Sequence, residues 1–232
     1  MTRRTAAATV PKPAPFLVLP PLFAVSGGAA LVFEVVWTRW LVLALGASTR
    51  ATTLVLAVFM GGLGLGAWLA GRFADRRAGR TLTLFSLAEA GVGLWGLLSV
   101  PLLGRWLPSL AAAGARATGA AVVPLFVRVL IAVLALAPPT ILMGATLPLL
   151  ARWVADAGLF PARRIGALYT LNTAGGVAGT LLAAFVLIDR FGLSASAAGA
   201  AGADLLVAVL ALVLRGPLAV APPAGDGAPH GR

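Results

Sequence analysis

The chain has 232 residues, of which 60% are hydrophobic and 11% charged, against roughly 25% charged in an average soluble domain, and its mean hydropathy is +0.99. Seven acids and eighteen bases cannot cover a polar surface at this length, so the composition excludes a water-soluble fold and makes lipid the expected solvent. With no cysteine, disulfides and thiolate metal sites are excluded, and with a single histidine at His230 imidazole chemistry is not expected; no catalytic residue, metal-ligand set or cofactor-binding motif is read.

Residues 1–12 hold Arg3, Arg4 and Lys12 in an Ala/Pro/Thr-rich stretch expected to be a mobile cytoplasmic tail. The apolar run that follows is free of charge from Pro13 to Phe33 and continues to about residue 45. It is longer than a secretory apolar region and lacks a small-residue cleavage site before a polar sequence, so it is expected to be an uncleaved signal-anchor helix. Further charge-free stretches cover 51–71, 129–151 and 165–188, each near the ~20 residues that span hydrocarbon. Two more, 81–104 and 191–214, are each interrupted by one acid, Glu89 and Asp204. The sequence therefore predicts an all-α polytopic membrane protein with a six-helix domain over 13–215. Its helices are expected at about 13–45, 51–71, 81–104, 124–151, 165–188 and 191–214, and 216–232 is expected to be a second mobile tail.

The net charge of +11 comes from short basic clusters between apolar runs, a topology signal and not a nucleic-acid face. Counting alternate loops puts twelve bases on the side of the amino terminus and five on the other, and the positive-inside bias then predicts both termini in the cytoplasm, with the 105–123 connection outside. On this topology Trp37, Trp40 and Trp106 are expected at the outer interface and Trp153 at the inner one, as aromatic anchors.

Gly62, Gly66 and Ala70, spaced by four, are matched by Gly175, Gly179 and Ala183. Such stripes are expected to face neighbouring helices, because helix association in lipid depends on close backbone approach. Gly46-Ala47-Ser48 at the end of the first helix and Gly144-Ala145-Thr146 at the end of the fourth precede the two stripes. The sequence thus suggests three helices repeated as three more, and an odd number of spans per repeat inverts the second copy, the 3+3 arrangement of transporter halves.

The connection Gly71-Arg72-Phe73-Ala74-Asp75-Arg76-Arg77-Ala78-Gly79-Arg80 resembles the major facilitator loop signature, Gly-x-Leu-x-Asp-Arg-x-Gly-Arg-Arg, with the second glycine one residue late. Gly71, Asp75, Arg76, Gly79 and Arg80 carry that likeness, and Asp75 is expected to cap a segment or pair with the surrounding guanidinium groups. A broader likeness covers most of the chain. The stretches at 26–39 (SGGAALVFEVVWTR), 139–148 (PTILMGATLP) and 166–175 (GALYTLNTAG) resemble the first, fourth and fifth helices of membrane-embedded spermidine synthase-like proteins, the fused major facilitator/spermidine synthase family. That resemblance implies a facilitator-half membrane domain, commonly followed by a soluble aminopropyltransferase-like domain. This sequence stops before any such polar region, so no catalytic residue of that family is carried over and aminopropyl transfer by this chain alone is not expected.

The remaining candidates are polar groups inside the apolar runs: Glu34, Glu89, Arg128, Asp204, Tyr169, Asn172 and Thr173. Ionisable groups in lipid mark a functional site by default, because each is costly if unpaired. Two functions are open on these grounds. One is a membrane subunit that holds a soluble aminopropyltransferase-like partner at the cytoplasmic face. The other is a half-size facilitator-like module that oligomerises to move a small, polyamine-like cation. The first is the expected one, because the membrane domains this chain resembles are attached to enzymes while half a facilitator has only half a central cavity.

Overall fold

The computed structural model describes residues 18–45, 48–74, 76, 79–118, 125–157 and 161–215, and these contain helices and no strand. The helices are α1 (Leu19–Leu45), α2 (Thr49–Ala74), α3 (Thr81–Pro101), α4 (Leu107–Thr118), α5 (Leu125–Asp156), α6 (Pro161–Leu182) and α7 (Ile188–Leu214). Five-residue π-helical segments, Leu102–Trp106 and Ala183–Leu187, join α3 to α4 and α6 to α7 without a loop. The 105–123 stretch expected as an outer connection is therefore helical as far as Thr118.

Among the described residues five continuous helices are long and apolar enough to cross a membrane: Leu19–Ala44, Thr49–Ala74, Thr81–Leu110, Phe126–Asp156 and Ala162–Leu214. At ~1.5 Å per residue the last, of 53 residues, would measure roughly 80 Å as a straight rod, more than twice the hydrocarbon thickness. It is not straight. Gly192 has φ 78° and ψ 171°, a conformation open essentially only to glycine. Beyond it, α7 lies against α3 and α1, while α6 also lies against α1.

The packing is that of a membrane bundle. Phe126, Phe185, Leu43 and Val213 are exposed, which gives the helices an apolar outer surface for lipid. Small residues bring the backbones together inside. A Cβ at Gly66 would collide with the Ile141 carbonyl, and one at Gly62 with the Thr140 side chain. A Cβ at Gly175 would strike the Ala24 carbonyl, and one at Gly179 the Gly28 carbonyl. Both glycine stripes thus face a partner helix. Gly144 closes the same α2–α5 seam against Leu63. Gly144-Ala145-Thr146 lies inside α5, which runs on to Asp156, and so does not end a helix; Gly46 and Ala47, its expected counterparts, lie outside the described residues.

Polar bonds between helices follow from the sequence in the same way. Pro139 has no N–H, so it frees the carbonyl of Ala135 one turn earlier. The Trp95 indole of α3 donates to that carbonyl at 3.0 Å. Trp37 stacks on Phe33 with centroids 4.7 Å apart, and its Nε1 donates to Ser99 Oγ at 2.9 Å. The expectation of interfacial anchors is corrected here: Trp37, Trp40 and Trp153 are buried core residues, and of the four Trp106 is exposed. The large apolar rings of the buried three fill the space between helices, and the Trp37 N–H finds its acceptor inside the bundle. Trp68 is also exposed, with the Arg72 guanidinium 5.3 Å from its ring centre.

Candidate functional site

The buried apolar residues form two clusters. One holds Ala29, Val92, Met143 and Ala201; the other holds Phe23, Phe85, Leu149 and Val207. In each of four helices a polar residue that lines the cavity described below falls between the two clusters. These are Ser26 in α1, Glu89 in α3, Thr146 in α5 and Asp204 in α7, and all four are buried. α3 also holds Ser86 there, whose hydroxyl donates to the Leu82 carbonyl of its own helix at 3.0 Å. At ~1.5 Å per residue Glu89 is roughly 12 Å from the start of α3 at Thr81, and Asp204 roughly 15 Å from the end of α7 at Leu214. The polar layer thus lies deep within the apolar length of the bundle.

Around this layer is a cavity of about 100 Å³, to which α1, α2, α3, α5, α6 and α7 all contribute. Its polar wall is Ser26, Glu89, Thr146, Asn172 and Asp204, and its apolar wall includes Ala30, Phe59, Leu63, Val92 and Met143. Gly27 admits Asn172, because a Cβ there would meet the Asn172 Oδ1 at 2.6 Å.

The two acids differ in their partners. Glu89 is 1% exposed and its Oε1 accepts a hydrogen bond from Ser26 Oγ at 2.7 Å. Asp204 is also 1% exposed, but its buried Oδ1 has no hydrogen-bond partner. Thr146 turns its hydroxyl back to the Met143 carbonyl at 2.7 Å. Among the described residues no arginine, lysine or histidine lines the cavity. Two carboxyl groups with one hydroxyl donor between them make a site short of positive charge, and such a site can receive a proton or a cation.

Of the residues singled out in the sequence, the fold brings together Glu89, Asp204 and Asn172. Glu34 lies on α1 beyond Ala30 and Leu31, half-buried and outside the cavity lining. Arg128, near the start of α5, is half-buried, and Tyr169 and Thr173 are exposed on α6. None of these three lines the cavity. In the basic connection Gly71, Arg76, Gly79 and Arg80 are exposed. Gly79 has φ 77°, and Asp75 lies outside the described residues, as do the two tails. An intrahelical ion pair, Arg152 to Asp156 at 2.9 Å, lies at the end of α5. Sequence reasoning missed Ser26, Phe59, Met143 and Thr146. Ser26 opens the 26–39 stretch and Thr146 closes a Gly-Ala-Thr triplet, but a lone hydroxyl in an apolar helix more often bonds its own backbone, as Thr146 does.

Fold and site define an all-α protein whose apolar helices suit a multi-pass membrane location, with two carboxyl groups held inside the bundle. Comparison with models of protein families, with curated proteins and with solved structures finds no match.

Proposed function

We propose that the chain is a six-crossing, 3+3 inverted module of the cytoplasmic membrane, similar to half of a facilitator, that carries a small cation through a site at its centre. The carrying observation is the unpartnered Asp204 Oδ1 in a cavity that Glu89 also lines and that no basic residue lines among the described residues. A subunit that only tethers a soluble enzyme has no use for an uncompensated acid in the middle of the bundle. The likeness to spermidine synthase-like membrane domains agrees with a cationic solute and adds no residue to the site.

The inverted repeat is supported by the pairing of helices. Exchanging α1, α2 and α3 for α5, α6 and α7 turns the α2–α5 contact into α1–α6, turns α3–α5 into α1–α7, and leaves α3–α7 unchanged; these are the five most extensive helix contacts. One sequence spacing separates Gly62 from Gly175, Gly66 from Gly179, and Gly28, which faces Gly179, from Ile141, which faces Gly66. With two residues more, the buried Phe85, Glu89, Val92 and Gly96 of α3 fall on the buried Ala200, Asp204, Val207 and Ala211 of α7. Glu89 and Asp204 are then repeat mates, and so are Phe59 and Asn172 across the same cavity. A site shared between inverted repeats is where alternating access needs its substrate.

This topology divides Ala162–Leu214 into two crossings at Gly192 and keeps both ends of the module inside. Single cysteines test it, because the chain has none of its own. An impermeant thiol reagent is expected to label Ser109→Cys and Arg190→Cys from outside, and Arg163→Cys and Arg215→Cys only from the cytoplasmic side. Labelling of Arg163→Cys and Arg215→Cys from opposite sides would overturn the six-crossing reading.

A further inference from the structure

We infer that the Glu89–Asp204 cavity takes one short alkylammonium ion in exchange for one proton. The inference rests on the transporter-like reading above and names what that central site binds. It is carried by Asp204, a side chain that lines the cavity, is 1% exposed and has no hydrogen-bond partner at its buried Oδ1.

Charge balance comes first. Among the described residues Glu89 on α3 is the one other titratable group lining the cavity; α1 contributes Ser26, α5 Thr146, α6 Asn172, and α2 the apolar Phe59 and Leu63. Glu34 on α1 stands beyond the lining. Two carboxylates cannot both stay ionised in a low-dielectric site with no cation facing them. A monocation therefore enters as one proton leaves. The O–H bond of the Asp204 carboxyl breaks, the proton passes to water, and the carboxylate Oδ1 accepts an N–H from the ammonium, with no covalent bond of the amine made or broken. Glu89 keeps its proton, and its Oε1 keeps the bond from Ser26. The loaded and unloaded sites are then both neutral.

The shape of the cavity selects the cation. A volume of about 100 Å³, set against the ~150 Å³ that holds benzene in an apolar cavity, admits about four non-hydrogen atoms. A bare metal ion seeks a shell of about six oxygens. Here Phe59, Leu63, Val92 and Met143 make much of the wall carbon. Those side chains suit the alkyl part of an ion such as propylammonium.

The full chain in lipid nanodiscs, weakly buffered with a pH indicator, tests the inference with propylammonium as probe. One proton released per ammonium bound is expected. The apparent affinity should fall about tenfold per unit as pH drops through the range in which Asp204 takes up its proton. Asp204→Asn, nearly the same size, should abolish both binding and proton release while eluting as the parent does. Ala30→Leu retains both acids but fills part of the cavity, and should weaken propylammonium at least tenfold. Binding without proton release overturns the exchange, and unchanged affinity in both variants overturns the site. Preference for sodium over propylammonium overturns the organic ligand. These readouts do not depend on how many times the chain crosses the membrane, so their failure and that of the six-crossing topology are told apart.

Discussion

Gly66→Leu is expected to disrupt the α2–α5 seam and lower stability by at least about 3 kcal/mol, the upper end of the range for overpacked cores. The new Cβ alone would overlap the Ile141 carbonyl. That group belongs to the backbone of a long helix, so it cannot swing aside as a side-chain tip can. Gly179, against the Gly28 carbonyl of α1, should respond with a loss of the same order. Gly61 and Gly64 provide the control within α2, since a Cβ at either meets nothing within 4 Å. Alanine at those two positions should change stability by less than ~1 kcal/mol, with any gain coming from better helix propensity. Unfolding in mixed micelles by a denaturing detergent separates the two classes. Equal losses at Gly64 and Gly66 would mean that glycine content, and not close approach, matters in this helix.

Asp204→Leu should move stability in the opposite direction. A buried polar atom with no partner costs roughly 1–3 kcal/mol, and leucine at this position removes that atom while adding carbon next to the cavity. The variant is expected to resist denaturing detergent better than the parent by about that amount and to lose the cation chemistry entirely. Ser26→Ala should have the reverse effect. It strips Glu89 Oε1 of its 2.7 Å hydrogen bond and leaves a second unpartnered acid oxygen, at a cost of similar size. A residue that weakens the fold where it stands is a mark of function. A marked loss of stability in Asp204→Leu would instead assign Asp204 a structural partner.

The spacing of charges along the chain was enough to read an all-helical membrane protein, because hydropathy adds up locally and a run near 20 residues without charge has few alternatives in lipid. Glu89, Asp204 and Asn172 were legible as candidates for the same reason: each stands out against an apolar background. Their meeting was not legible. α1, α3, α5 and α7 are apolar on nearly all sides, since the outer face meets lipid tails and the inner face meets other helices, and periodicity cannot tell two equally apolar faces apart. The same uniformity hid the roles of Trp37 and Trp40, which satisfy the composition of an interface belt and yet lie in the core.

Composition and run length by themselves determined the solvent, the helical class and the rough place of each helix, all of which depend on residues close together in sequence. Which acids share a cavity, which carboxyl oxygen is left without a donor, and which glycine meets which carbonyl were decided only by the tertiary structure. These depend on how far two backbones can approach, and that distance is set jointly by small residues on helices far apart in the chain.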